Sequence, residues 1–403
     1  MAETTAAPAR SDRGAGRMLF VLSGNMVLDS IEVSLVLVAL PSIAADLRLS
    51  LWTVQWLMSG FALGFAAVLL VGPRLTARWG LRRCYLVALL VFALASVAGG
   101  LSDTTGLLIA SRVVKGGCAA LTAPAGLTLI GATFPDGPQL RRAVSVYSLF
   151  GASGFTLGLL LSGVLTPVSW RWTFLFPAPV ALLLFARGLR VIPRTARGSA
   201  APRPAPVLRG HRAPIRATLV AACLNGTYAS LLLLITFRVT GQYGWEPWQT
   251  ALALLPACVP LALSAAYAGR LAARFGTRGP VAAGAAAAFA GQLLLLLRPG
   301  TGSYAAVLLP TLLLVGIAFV LAFGALNLQV TQGLTPLERG AAVPLYQTGV
   351  QLGGVLLLPP VGALLTHGGD RAALLTIALA GAAGLAVALT GLRGPSTSGS
   401  QPT

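Results

Sequence analysis

Twelve apolar runs of bilayer-spanning length follow one another along this chain, at 18–41, 52–72, 84–101, 104–132, 143–166, 172–191, 214–237, 248–269, 279–298, 304–331, 341–366 and 372–392. An α-helix needs about 20 residues to cross a hydrocarbon core about 30 Å thick. In that medium the backbone must satisfy its own N–H and C=O groups, so each run is predicted to be a helix. The expected fold class is therefore all-α and integral to the membrane. Composition agrees, with 56% hydrophobic and only 10% charged residues, where a soluble domain carries about 25% charged. The net charge of +19 comes from basic residues scattered between the runs. They form no patch of the kind nucleic acid needs, so no nucleic-acid partner is expected.

The loops are short apart from residues 192–213, whose Pro, Arg, Ala and Gly content cannot bury a core. That linker divides a six-run bundle at 18–191 from a second at 214–393, with tails at 1–17 and 394–403. The N-terminal stretch is too polar to lead a cleaved signal, so the first run is expected to remain as a helix. If both termini face the cytoplasm, 22 basic residues fall on that side and five on the other. This asymmetry predicts cytoplasmic termini in a plasma (inner) membrane. An internal repeat fits the same division: PRLTARWGLR at 73–82 follows the second run and GRLAARFGTR at 269–278 follows the eighth. Parallel halves of this kind place a substrate site between them near the midplane.

Charge inside the runs is rare. Asn25, Asp29 and Glu32 are spaced i, i+4, i+7 and share one helical face. A carboxylate at mid-bilayer costs at least ~2.5 kcal/mol, so it faces a cavity or a partner. Arg112 and Lys115 share a face of the fourth run. At ~1.5 Å per residue, Glu32 and Asp29 lie roughly 14 and 18 Å below Pro41, and Arg112 and Lys115 roughly 12 and 16 Å below Thr104. Similar depth predicts one cluster, Asp29/Glu32/Arg112/Lys115. It reads either as a structural ion-pair network or as a proton and substrate site. The second half offers only neutral cavity candidates: Asn225, Tyr228, Asn327, Gln329, Gln347 and Gln351. Cys84, Cys118, Cys223 and Cys258 lack metal-type spacing, and no phosphate loop or nucleophile elbow is present. No metal, cofactor or enzymatic activity is expected. A membrane aspartyl protease would need a second acid on another helix.

Several stretches then resemble the major facilitator superfamily, and within it the drug:proton antiporter branch, in a twelve-span form. Leu28-Asp29-Ser30 and Val38-Ala39-Leu40-Pro41 are similar to that branch's first-span signature. RLTARWGLRR at 74–83 resembles the superfamily's G-x-L-A-D-R-x-G-R-K loop. Arg112, Gly116, Ala119 and Pro124 match its fourth-span pattern, and Trp170-Arg171-Trp172 resembles the opening of its sixth span. GQYGWEPWQTALALLP at 241–256 and Gln351-Leu352-Gly353-Gly354 are like its recurrent second-half stretches. The departures are Pro73 and Ala77 in the loop motif, Lys115 where Gln is usual, and Phe155 and Leu159 in the fifth-span G-x-x-x-G-P-x-x-G-G motif.

The resemblance implies two pseudo-symmetric six-helix bundles forming a monomeric, proton-driven exporter of a small organic compound, a drug or secondary metabolite, that works by alternating access. It implies proton coupling at Asp29 and Glu32 and a substrate cavity at Asn25, Arg112, Lys115 and the neutral second-half residues. It further implies a gating loop at Arg74, Arg78, Gly80, Arg82, Arg274 and Gly276, and helix packing at Gly154 and Gly158. An importer or facilitator of a charged metabolite on the same fold is the alternative reading, and a non-transporting sensor a remote one.

Overall fold

The computed structural model describes residues 9–134, 137–193, 212–264, 274–298, 303–332, 334–367 and 369–392. Among these there is no strand, and twelve helical spans follow in order. They are α1 (Ala9–Asp46), α2 (Leu51–Trp79), α3 (Leu81–Gly100), α4 (Thr105–Thr133), α5 (Pro138–Leu165) and α6 (Trp172–Val191). Then come α7 (Arg212–Tyr243), α8 (Pro247–Ser264), α9 (Arg278–Leu297), α10 (Leu308–Thr331), α11 (Pro336–His367) and α12 (Gly369–Thr390). Eleven are long and apolar enough to cross a bilayer. The twelfth, α8, carries Pro256 and Pro260 and runs up to residues outside the described set. Most of the expected linker, 194–211, also lies outside the described residues, as do 1–8 and 393–403.

Helices overrun the apolar stretches at several ends. α1 begins at Ala9 and continues through Pro41 to Asp46. Apolar length is set by the bilayer, whereas a helix can go on into water, which satisfies the end groups that the membrane cannot.

Glycine crossings repeat from one half to the other. In α4, a Cβ on Gly116 would strike the Phe61 carbonyl of α2; in α10, one on Gly316 would lie 2.7 Å from the Pro256 carbonyl of α8. Gly154 and Gly158 of α5 press on α1, where added Cβ atoms would lie 2.5 Å from Ser30 Cβ and 2.7 Å from the Ile31 carbonyl. Gly226 of α7 and Gly353 of α11 make the matching crossing backbone to backbone. Small residues at such seams let helices approach where no hydrophobic effect drives them together. Gly80 (φ 86°) and Gly276 (φ 67°) occupy the same position of the repeated motif, and each has the positive φ that suits glycine.

Three cores result. One is shared by both halves and sits at the end opposite the termini, from Val36–Ala39 and Phe174 to Leu231–Ile235 and Leu312. The other two lie at the terminal end, and each belongs to a single half. Contacts between the halves pair α2 with α11, α5 with α8 and α1 with α7. At the far end Gly163 meets Ala251 and Trp248, Gly362 meets Gln55 and Leu51, and the Trp52 N–H donates to Thr366 Oγ1 at 3.1 Å. The halves are thus sealed together at the far end and have separate cores at the other.

Candidate functional site

Glu32 and its two cations form a closed ionic unit where α1, α2 and α4 meet. Arg112 Nη1 lies 2.5 Å from Glu32 Oε2, and Lys115 Nζ lies 2.6 Å from Oε1. All three side chains are essentially without exposure. Arg112 also donates from Nη2 to the Glu32 carbonyl at 3.0 Å and from Nε to the Leu57 carbonyl at 2.8 Å. That last bond depends on the Gly64 and Gly116 seam, which brings the α2 backbone against α4. Aromatic rings close the remaining sides: Arg112 stands 4.8 Å from the Phe61 centroid, and Lys115 stands 5.0 Å from Phe92 and 5.6 Å from Phe174. Cations over ring faces gain from the ring quadrupole, most of all where water is absent.

Asp29 is not part of that unit. Its Oδ2 accepts from Asn25 Nδ2 at 2.9 Å and from Thr122 Oγ1 at 2.8 Å. Among the described residues it has no ion pair. The four-member cluster expected from depth alone therefore divides into a triad and a separate carboxyl. The reason is rotation about the helix axes: Glu32 faces both cations and takes one on each oxygen, leaving Asp29 neutral donors only. Thr122 was missed by sequence reading, although it lies seven residues beyond Lys115 and so shares its helical face.

A cavity of about 250 Å³ opens beside the triad, between the halves. Of the residues named from the sequence, Arg112, Asn225, Tyr228 and Gln351 line it; Asn25, Lys115, Asn327, Gln329 and Gln347 do not. Asn225 Nδ2 donates to the Val350 carbonyl at 3.0 Å. Asn327 is exposed, Gln329 is buried and Gln347 is half-buried. Much of the wall is apolar and aromatic. Tyr228 packs on Phe319 at 4.2 Å between centroids and on Phe155 at 6.1 Å, while its hydroxyl turns to Cys258 Sγ at 3.2 Å. Phe155 stands where the resembled motif has proline, and its carbonyl accepts from Ser34 Oγ at 2.7 Å. Phe319 gave no sequence signal, since the helix around it is apolar from Leu312 to Leu326.

The loop residues sit at the terminal end. Arg74, Arg78 and Arg274 are exposed, and Arg82 donates to the Leu189 carbonyl at 2.6 Å, satisfying a backbone group near the end of α6. At the far end, Trp170 Nε1 donates to Asp46 at 2.8 Å, and Arg171 bonds the Ser102 carbonyl at 2.7 Å and Asp103 at 2.5 Å, tying three loops together. The four cysteines are free, and no cluster of metal-ligating side chains occurs among the described residues.

Residues 22–357 match the Major Facilitator Superfamily. The chain belongs to that superfamily. This major facilitator is a transporter rather than an enzyme, and it resembles drug and antibiotic efflux proteins. It is 29% identical to the puromycin resistance protein of Streptomyces alboniger, over 85% of this chain and 78% of that one. It is 34% identical to the cephamycin export protein of Amycolatopsis lactamdurans, over 60% of this chain but only 47% of that one. With the tetracenomycin C resistance and export protein of Streptomyces glaucescens it shares 28% identity, over 86% of this chain and 75% of the other. Among solved structures, the fold matches a bacterial homologue of the human lysosomal transporter Spinster (TM-score 0.77, 16% identity, 96% of this chain and 98% of that one). It also matches the nucleoside transporter NupG (TM-score 0.73, 14% identity, 93% and 99%).

Proposed function

We propose that this transporter exports a small organic compound across the plasma membrane in exchange for protons, with Asp29 as the proton carrier. The observation that carries the reading is the separation of Asp29 from the Glu32 triad. A carboxyl held only by Asn25 and Thr122 can gain or lose a proton without breaking an ion pair. Glu32 cannot, because protonating it leaves buried Arg112 and Lys115 without a counter-ion. Glu32 therefore serves to hold α1 to α4, and Asp29 couples. Because Thr122 lies on α4, loss of the Asp29 charge changes the bonding between the same two helices.

The distribution of the cores supports an alternating-access reading. With cytoplasmic termini, the shared core closes the outer side while the two separate cores let the inner side part, the arrangement of a state open to the cytoplasm. The two six-helix units then rock about the cavity, in a single monomer, with residues 192–213 as the cytoplasmic tether. The resistance and export proteins among the relatives support the outward direction. Purified protein in proteoliposomes, given puromycin, lincomycin and tetracenomycin C in turn, should move at least one of them against its gradient when a pH difference is imposed. Equilibration without accumulation would mark a facilitator instead, and no movement at all would mark a sensor.

A further inference from the structure

We infer that the cavity takes flat, uncharged aromatic compounds with carbonyl or hydroxyl groups at their edges, and rejects organic cations. The inference rests on reading that cavity as the transport site. Phe155, Tyr228 and Phe319 present ring surface to the cavity, and Phe61 adds a fourth ring to the wall. Aromatic faces favour planar π-systems by stacking. Two carboxamides, Asn225 and Gln351, supply donors and acceptors that suit carbonyl and hydroxyl groups. The Gln351 side chain makes no hydrogen bond among the described residues.

Charge decides the rest. Among the described residues no carboxylate lines the cavity, and the one charged wall group, Arg112, is already committed to Glu32, to the Leu57 carbonyl and to the face of Phe61. The ionised triad carries one net positive charge, cancelled only while Asp29 beyond the wall is ionised, so a cation in the cavity meets no acid in the wall and meets like charge whenever Asp29 holds its proton. Asp29, Val33 and Leu37 are spaced by four on one face of α1. Val33 and Leu37 line the cavity, but Asp29 lies one turn beyond, roughly 6 Å along the helix. Proton and substrate therefore do not compete for one carboxylate, and the substrate needs no positive charge to be coupled.

The test uses the full chain in detergent with 1,8-dihydroxyanthraquinone and ethidium as probes, read by fluorescence titration. The anthraquinone should bind saturably, and ethidium at least ~10-fold more weakly. Phe319→Leu, which keeps apolar bulk without the ring, should weaken anthraquinone binding roughly 5- to 10-fold. Gln351→Ala should weaken it several-fold, and the exposed Asn327→Ala should leave it unchanged. Ethidium binding as tightly as the anthraquinone, or wild-type affinity in Phe319→Leu, would overturn the inference. Proteoliposomes separate the two readings. Expected binding with no transport of any compound would sink the transport reading alone; transport of ethidium but not of the anthraquinone would sink the substrate class alone.

Discussion

The two halves of this transporter share one packing plan and differ in what they bury. In the first half the α1–α5 and α2–α4 seams surround Asp29, Glu32, Arg112 and Lys115. In the second half the matching α7–α11 and α8–α10 seams surround Asn225, Tyr228 and Phe319, with no buried carboxylate among the described residues. The scaffold is shared and the interiors differ: the first half buries the acids and their two cations, while both halves give rings to the cavity wall between them. The second half buries Arg238 as well, but beside Asp370 at a helix end, so the electrostatic risk concentrates in the first half, where each buried ion depends on its neighbours.

The largest way to break the comparison is Glu32→Gln. It leaves two buried cations sharing no anion, a defect of ~3–5 kcal/mol, and folded yield on size exclusion should collapse. Lys115→Gln should do far less, since the Glu32–Arg112 bonds survive it. If both variants fold like wild type, the triad is not what holds α1 to α4.

Next in size are the seams. Gly116→Val and Gly316→Val should each destabilise by at least ~1–3 kcal/mol through overpacking, and by similar amounts, because both glycines meet a backbone carbonyl of the neighbouring helix. Thermal unfolding in detergent reads this, and a large drop for one with none for the other would deny the structural equivalence of the halves. Smallest is Asn327→Ala, which should alter stability by no more than ~0.5 kcal/mol because its side chain is exposed.

How much was visible beforehand follows the same division. The twelve helices were legible because bilayer thickness imposes a length on apolar runs; their ends were less so, since water past the interface lets α1 continue to Asp46. Buried charges were legible because they are rare in such runs. Their pairing was not: helical depth aligned all four groups, but depth says nothing of rotation, and rotation decides that Glu32 takes both cations. Asn225 and Gln351 were named for polarity and line the cavity, while Gln329 and Gln347, named for the same reason, do not. Phe155, noted only as a departure from the motif, and Phe319 were not read as cavity residues, because an aromatic side chain in an apolar stretch looks the same whether it faces lipid, a neighbour or a cavity.

The central claim is that Asp29 carries the proton and the triad does not. The direct measurement compares wild type, Asp29→Asn and Lys115→Gln in proteoliposomes at matched protein content, using the compound that wild type moves best. Two rates are read: accumulation driven by a pH difference, and exchange of labelled for unlabelled compound at equal pH. The account predicts that Asp29→Asn keeps exchange and loses accumulation, while Lys115→Gln keeps both. Accumulation by Asp29→Asn at the wild-type rate would contradict it.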